Sequence, residues 1–281
     1  MEPAGDFERD SAVEGGDGRF KAELSDAWAL WGPAGGYVSA IALRAAGEHS
    51  RFNRPVSYAA NYLGVARFEP IEIEVVTLNA ARRSEVVRVS LIQDGKVFLD
   101  ATVWTIDEGM HGFELDAAPM PDLPGPDGLG EWRELSPPPR PFRKFWSNID
   151  ERMIGEIYER WEERVPGPPI RQGWYRFEPK ATFEDPYLDA ARSLMIIDTM
   201  GWPAFMASRT GFAEFIGPTI ELSARFHRPA NDSEWLLAVS EAPVAADALI
   251  GSTTQVWAQD RRLVASGGQT MLCRPAPPLP S

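Results

Sequence analysis

Residues 256–269 read VWAQDRRLVASGGQ, and residues 90–103 read SLIQDGKVFLDATV. Both stretches place a Gln-Asp pair between two strand-like runs. In the earlier stretch the pair is followed by Gly95, and Asp-Gly suits the type I′ turn of a two-residue hairpin. Each stretch therefore predicts two long antiparallel strands joined by a turn, and their recurrence predicts an internal duplication.

The sequence around the two hairpins is repeated as well. An apolar segment with helical spacing precedes each group of strands, over residues 37–46 and again over residues 187–207. Four strand candidates follow in each half: residues 56–66, 71–78, 83–92 and 96–106, then residues 217–228, 234–242, 248–258 and 262–273. With Gln93 laid on Gln259 and Tyr62 on Phe226, the halves share one layout, an α+β unit used twice.

The remaining segments have the composition of tails and linkers. Residues 1–18 are polar, acidic and glycine-rich, which predicts a disordered N-terminal tail. Residues 108–142 are rich in proline and glycine, which predicts a linker. The two units then span residues 19–107 and 143–275, and residues 276–281 form a short C-terminal tail.

Charge and cysteine content exclude several classes of function. The formal net charge of −13 disfavours nucleic acid as a partner, because binding it requires a basic surface. Cys273 is the single cysteine, so neither an intrachain disulfide nor a thiolate metal cluster is expected. The three histidines are scattered, and no metal or cofactor is predicted. The N-terminal residues are acidic and lack an apolar core, so no signal peptide is expected, and no apolar run approaches about 20 residues. These features favour a cytoplasmic protein without a membrane span.

Four stretches of this sequence resemble the TesB-like (type II) acyl-CoA thioesterases and the related thioesterase-like proteins. They are GGYVSAIALRAA (35–46), VVTLNAARRSEVVRVSLIQDGKVF (75–98), IELSARFHRPANDSEWLLA (220–238) and DRRLVASGGQ (260–269). The resemblance implies a double hotdog, in which two tandem units each wrap an antiparallel sheet around a long helix. It also implies an acyl-CoA substrate, hydrolysis to the free acid and CoA without a metal, and a homo-oligomer, a dimer or larger.

In that family a carboxylate, a hydroxyl residue and a glutamine of the second unit orient the attacking water. The resemblance places the carboxylate on Glu221 and the amide on Gln269. It places the hydroxyl near residues 242–244, where the sequence has none. A carboxylate within reach of water can act as a general base, and a glutamine amide can fix the position of that water. The matching positions of the first half are Ser57 and Val103, so the predicted site belongs to the second half alone.

Further candidates concern substrate binding. Gly35 and Gly36 enter the first long helix, where backbone N–H groups can polarise a thioester carbonyl and the missing side chains allow close approach. An acyl chain is expected between the long helices, near Tyr37 and Trp202. Ser84 follows two arginines at a turn, which is either a solvated turn or a contact for CoA phosphates.

Asp198 lies within an apolar helical segment, LMIIDTMGW. A buried carboxylate requires a partner, because an unpaired buried charge is costly. The sequence favours a structural or supporting role for Asp198, and the alternative is a polar group at the acyl tunnel.

Two other functions compete with hydrolysis. The first is a non-catalytic acyl-CoA or lipid-binding protein, which the missing hydroxyl near Pro243 favours. The second is a hotdog hydratase or dehydratase, but its short paired Asp and His motif is absent from the sequence. Glu221 itself has an alternative interpretation as a solvated surface acid paired with Arg225.

Overall fold

The computed structural model describes residues 2–135, 142–155, 165–210 and 214–276. Two long helices pack against each other and against one face of a twelve-stranded antiparallel sheet. The helices are α1 Phe7–Asp10, α2 Gly35–His49, α3 Trp132–Leu135, α4 Arg143–Ser147 and α5 Pro186–Met206. Two 3-10 turns lie at Asp26–Trp28 and Pro126–Gly128.

The strands follow the predicted order in both halves. Those of the first half are β1 Glu14–Gly16, β2 Arg19–Glu23, β3 Arg54–Tyr62, β4 Pro70–Ala80, β5 Ser84–Gln93 and β6 Lys96–Ile106. Those of the second half are β7 Ile149–Met153, β8 Ile170–Phe177, β9 Phe215–Ile216, β10 Thr219–Phe226, β11 Leu236–Ala246, β12 Leu249–Ala258, β13 Leu263–Leu272 and β14 Arg274–Pro275. The short strands β9 and β14 pair only with each other.

The large sheet joins the two halves at its centre. Its strand order is β1-β2-β4-β5-β6-β3-β10-β13-β12-β11-β8-β7, so the halves meet where β3 pairs with β10. The pairing confirms the predicted correspondence, because Tyr58 lies opposite Val103 in one half and Leu222 lies opposite Gln269 in the other. The predicted hairpin turn is also confirmed, since Asp94 and Gly95 both have positive φ, as a type I′ turn requires.

The two long helices approach each other closely at a glycine. A Cβ placed on Gly36 of α2 would lie 2.7 Å from Cα of Met195 in α5. Real Cβ atoms are not found so near a backbone atom, so no other residue fits here without moving the helices. The small-residue entry to α2 therefore sets the distance between the halves.

The N-terminal residues differ from the predicted tail. Residues 2–18 include α1 and β1, and Phe7 is only 2% exposed within the main core. Its ring packs against those of Trp28 and Phe177, so this segment binds the two halves together. The composition of residues 1–18 predicts disorder because a single large apolar residue, Phe7, contributes little among the acidic and glycine residues.

The segment predicted as a linker is partly packed. Residues 118–129 lie on the outer face of the second half of the sheet, where Ala118, Met120, Leu123 and Leu129 contact a tryptophan-rich cluster. Trp174 donates a hydrogen bond from Nε1 to the carbonyl of Pro124 at 2.8 Å. The second unit thus begins, by packing, well before residue 143. Residues 136–141 of the predicted linker and residues 277–281 of the predicted tail lie outside the described residues.

No helix among the described residues has both the length and the apolar character required to cross a bilayer.

Candidate active site

Asp198 extends from the middle of α5 to the N-terminus of α2. Its side chain is buried, at 8% exposure for the residue, and Oδ2 accepts a 2.6 Å hydrogen bond from the backbone N–H of Gly36. The residue before α2, Ala34, provides no side-chain cap. A carboxylate of the second half therefore caps a helix of the first half, where the helix dipole favours negative charge.

Gly35 makes this contact possible. A Cβ on Gly35 would lie 2.8 Å from Oδ2 and 2.9 Å from Oδ1 of Asp198. The carbonyl of Gly35 is held by Tyr62, whose phenol donates to it at 3.0 Å and also contacts Ser39. Within the described part of the chain, no hydrogen bond engages the N–H of Gly35. That group remains available to an incoming acceptor.

Thr219 connects Asp198 with Gln269. Its Oγ1 lies 2.9 Å from Oδ1 of Asp198 and 2.8 Å from Oε1 of Gln269. The three side chains come from α5, from the start of β10 and from the centre of β13. Asp198 and Gln269 are buried, and Thr219 is half-buried. The contacts assemble a carboxylate, a hydroxyl and an amide into one cluster at the N-terminus of α2.

A bulge in β10 places Thr219 in this cluster. Thr219 pairs with Met271 and Glu221 with Thr270, so one extra residue, Ile220, separates them on β10. Directly paired residues share a face of the sheet, and Thr219 therefore faces the helices with Met271 and Gln269. Strict alternation along the strand would have placed it on the opposite face, beside Glu221.

Burial dominates the electrostatics of the cluster. It raises the pKa of Asp198 to about 6, and the hydrogen bonds from Thr219 and Gly36 oppose the rise by favouring the charged form. Burial likewise raises the pKa of Tyr62 well above its usual value, so this phenol stays neutral at physiological pH. The carboxyl of Asp198 thus titrates near the pH at which a general base is most useful.

Glu221 is not part of the cluster. It pairs with Thr270 on one side and Asn61 on the other, which places it on the face of the sheet opposite Gln269. The structure therefore does not bring together the predicted pair, Glu221 and Gln269. The hydroxyl that contacts Gln269 belongs to Thr219 and not to residues 242–244, which lie in β11 around a bulge.

Of the predicted substrate contacts Tyr37, Ser84 and Trp202, only Trp202 lies beside the cluster. Tyr37 is buried away from the cluster, donating to the carbonyl of Asp10 and stacking on Trp28. Ser84 begins β5, which is three strands from β10 in the sheet. Trp202 follows Gly201 in α5 and packs against the apolar group that contains Met271, so it borders the cluster.

Sequence reasoning named Asp198 and Gln269 but missed Thr219. Its only local signal is the preceding Pro218, because proline commonly marks the first residues of a strand or a bulge. For Asp198 the sequence favours a supporting role, because a lone acid within an apolar helix gives no indication of what faces it. Among the described residues, no group of three His, Cys, Asp or Glu side chains is placed to hold a metal ion.

A helix pair enclosed by one antiparallel sheet, with two α+β units related by duplication, defines a double hotdog protein. Two family models match the chain: the acyl-CoA thioesterase N-terminal domain over residues 24–106 and the acyl-CoA thioesterase C-terminal domain over residues 116–273. Together they cover most of the sequence, and the chain belongs to the acyl-CoA thioesterase family. A search of curated protein sequences found no significant match.

Solved structures confirm the fold. A conserved hot dog protein of unknown function from Alicyclobacillus acidocaldarius superimposes with a TM-score of 0.80 at 21% identity, covering 96% of this chain and 98% of that one. The tesB protein of Mycobacterium avium subsp. paratuberculosis gives 0.78 at 24% identity, with 98% and 100% covered. The acyl-CoA thioesterase II TesB2 of Mycobacterium marinum gives 0.75 at 18% identity, with 96% and 99% covered.

Proposed function

We propose that the protein hydrolyses acyl-CoA thioesters to the free acid and CoA, with Asp198, Thr219 and Gln269 holding and activating the attacking water. The observation that carries the proposal is the buried Asp198 carboxylate, hydrogen-bonded to Gly36 and, through Thr219, connected to Gln269. Membership of the acyl-CoA thioesterase family and the TesB-type structural neighbours support the substrate class.

In this mechanism Asp198 takes one proton from water as the water oxygen attacks the thioester carbon. The new C–O bond forms a tetrahedral intermediate, and its collapse breaks the C–S bond and releases CoA as a thiol after protonation. Asp198 returns the proton to the leaving sulfur. General base catalysis of this kind accelerates a reaction by about 10²–10⁴-fold.

The N-terminus of α2 provides the electrophilic side of the site. The unengaged N–H of Gly35 and the positive end of the helix dipole favour an oxyanion at this position. Because Gly35 has no side chain, a carbonyl oxygen can approach its backbone directly. The first half thus contributes the polarising group, and the second half contributes the base.

The test is free-thiol release from acyl-CoAs of short, medium and long chain, with wild type, Asp198→Asn and Glu221→Gln in parallel. We expect wild-type turnover, a loss of about 100-fold or more in Asp198→Asn, and less than about a twofold change in Glu221→Gln. Glu221→Gln is the control, because it also removes one carboxylate charge but on the face of the sheet opposite the cluster. If Glu221→Gln lost turnover while Asp198→Asn stayed active, the general base would be Glu221 and not Asp198.

The competing function is binding of acyl-CoA without hydrolysis. The missing hydroxyl near Pro243 favoured it, and the Thr219 hydroxyl within the cluster removes that argument. Saturable binding of an acyl-CoA by folded wild-type protein, without thiol release at any chain length, would nevertheless establish it. The acyl chain, the homo-oligomeric assembly, the cytoplasmic location and a phosphate contact at Ser84 stay predictions.

A further inference from the structure

Ser252 is a buried hydroxyl beside the proposed catalytic amide. It lies on β12 directly opposite Gln269, is 6% exposed, and its Oγ has no hydrogen-bond partner among the described residues. A Cβ on Gly201 of α5 would lie 2.5 Å from this Oγ and 2.2 Å from Nε2 of Gln269. The hydroxyl and the end of the amide therefore border the same small space beneath Gly201.

The hydrogen atoms of the cluster need a particular arrangement. Thr219 has one hydroxyl hydrogen, yet its Oγ1 faces two acceptors, Oδ1 of Asp198 and Oε1 of Gln269. On the other side of the amide, Nε2 of Gln269 faces Sδ of Met271, a weak acceptor, at 3.5 Å. If Asp198 is ionised, Thr219 can donate its hydrogen to only one of these two oxygens. Its contact with the other oxygen then places two lone pairs against each other.

A half-turn of the Gln269 amide removes this conflict. Nε2 then donates to Thr219, Thr219 donates its hydrogen to Asp198, and Oε1 faces the space that contains the Ser252 hydroxyl. The two ends of an amide are nearly equal in size, so hydrogen bonds decide between the two orientations. The unpartnered Ser252 hydroxyl can accept from Nε2 or donate to Oε1, whereas Sδ of Met271 can only accept. The turned orientation therefore depends on Ser252 more than the original one does.

We propose that Ser252 is a positioning residue, which donates to Gln269 and thereby directs the Thr219 hydrogen toward Asp198. The resulting chain runs Ser252 to Gln269 to Thr219 to Asp198, and each group donates to the next. The second hydrogen on Nε2 remains free to bind the oxygen of the attacking water. The inference rests on the proposed function only for the identity of that water.

The alternative arrangement is a protonated Asp198 that donates to Thr219, which then donates to Oε1 of Gln269. Asp198 cannot act as a base in that state. The two orientations of the amide are therefore coupled to the charge of Asp198, and Ser252 stabilises the one that belongs to the ionised form. Removal of the Ser252 hydroxyl is expected to raise the pKa of Asp198.

The groups that face Asp198 allow this shift to be detected. From β3, Tyr58 and Tyr62 approach it, and burial raises the pKa of both phenols so that they stay neutral near pH 6. The first turn of α2 contributes Gly36 and no charged side chain. From β10 the charged residues are Glu221 and Arg225, both on the outer face, and β12 and β13 contain no Asp, Glu, His, Lys or Arg. On β11 Glu241 is exposed, and on β7 and β8 the Glu151, Arg171 and Tyr175 side chains contact one another.

The first test follows the Asp198 carboxyl by ¹³C NMR in the full-length protein without ligand, in wild type, Ser252→Ala and Ser240→Ala. Ser240 is a matched control, a fully buried serine on the inner face of β11 that accepts from Thr254 and does not contact the cluster. We expect the pKa of Asp198 to rise by about half a unit or more in Ser252→Ala alone. An unchanged pKa in Ser252→Ala would overturn the proposal.

The second test uses turnover. In Ser252→Ala we expect kcat/KM to fall about twofold or more at pH 6 and less at pH 8, with the acid limb of the pH profile moved upward. In a Gln269→Ala background the same substitution should have no further effect, because Ser252 acts through that amide. Additive losses would contradict the proposal. If the wild type has no thioesterase activity, the NMR titration still decides the role of Ser252.

Discussion

At the scale of single residues, the most consequential group is the Asp198 carboxyl, which is buried at a helix N-terminus. Its folded-state pKa of about 6 lies above the ordinary value of 3.8, so the folded chain holds the proton more tightly than the unfolded chain does. The stabilisation from this group is complete below pH 3.8 and is lost as the pH rises through 6. At neutral pH the ionised carboxylate therefore lowers stability.

Asp198→Asn is accordingly expected to raise the free energy of unfolding at pH 8, by on the order of 2 kcal/mol. Asparagine can still accept from Gly36 and can donate to Thr219, so the cluster keeps its contacts. Urea unfolding of both proteins at pH 8 and pH 4 measures the difference, which should almost disappear at pH 4. A variant less stable than wild type at pH 8 would contradict this account.

The position of Thr219 in the cluster is a feature that the sequence alone does not reveal. Alternation along TIELSARF assigns Thr219 and Glu221 to one face, and only the extra residue at Ile220 separates them. A bulge depends on how two strands pair and leaves a weak trace in either sequence. The resemblance of DRRLVASGGQ to the TesB-like family points to Gln269, but the partners of its amide come from elements distant in sequence and are not visible there.

At the scale of elements, the close approach of α2 and α5 organises the site. The helices and long strands were predictable because each has strong periodicity and the pattern occurs twice. The distance between the helices was not predictable, since it depends on which small residues meet across the interface. At Gly36 the two helix backbones lie so close that a Cβ would be 2.7 Å from Cα of Met195.

Gly36→Ala is expected to lower the free energy of unfolding by about 1–3 kcal/mol, because the new methyl group forces the helices apart. The same movement lengthens the hydrogen bond from residue 36 to Asp198 and should reduce thioester hydrolysis. Gly16→Ala is the control, since a Cβ there would meet no atom within 4 Å. Equal stability of the two variants would show that α2 and α5 tolerate a wider spacing.

At the scale of the whole molecule, the halves are held by extensive contacts and joined by one exposed connection. The β3–β10 pairing and the α2–α5 packing unite them, while Phe113 in the connection is fully exposed. Residues 107–125 have no helix or strand. The integrity of the fold should therefore not depend on the covalent link near residue 113.

A protease site inserted after Gly112 tests this directly. After cleavage we expect the two fragments to co-elute in gel filtration and to keep the far-UV circular dichroism spectrum of the intact chain. Thioesterase activity should also be retained, because the connection does not contact the cluster. Separation of the fragments without denaturant would show that the interface alone cannot hold the halves together.

The hydrogen bond from Gly36 to Asp198 crosses the boundary between the two units. In a symmetric dimer of identical subunits every substitution appears twice, so one sequence must supply both the carboxylate and the helix N-terminus. Fusion into one chain removes that constraint, and Tyr58 and Val103 stand where the second half has Leu222 and Gln269. The first unit can therefore supply the helix N-terminus and the second unit the carboxylate, an asymmetry between units that identical chains of a symmetric dimer cannot adopt.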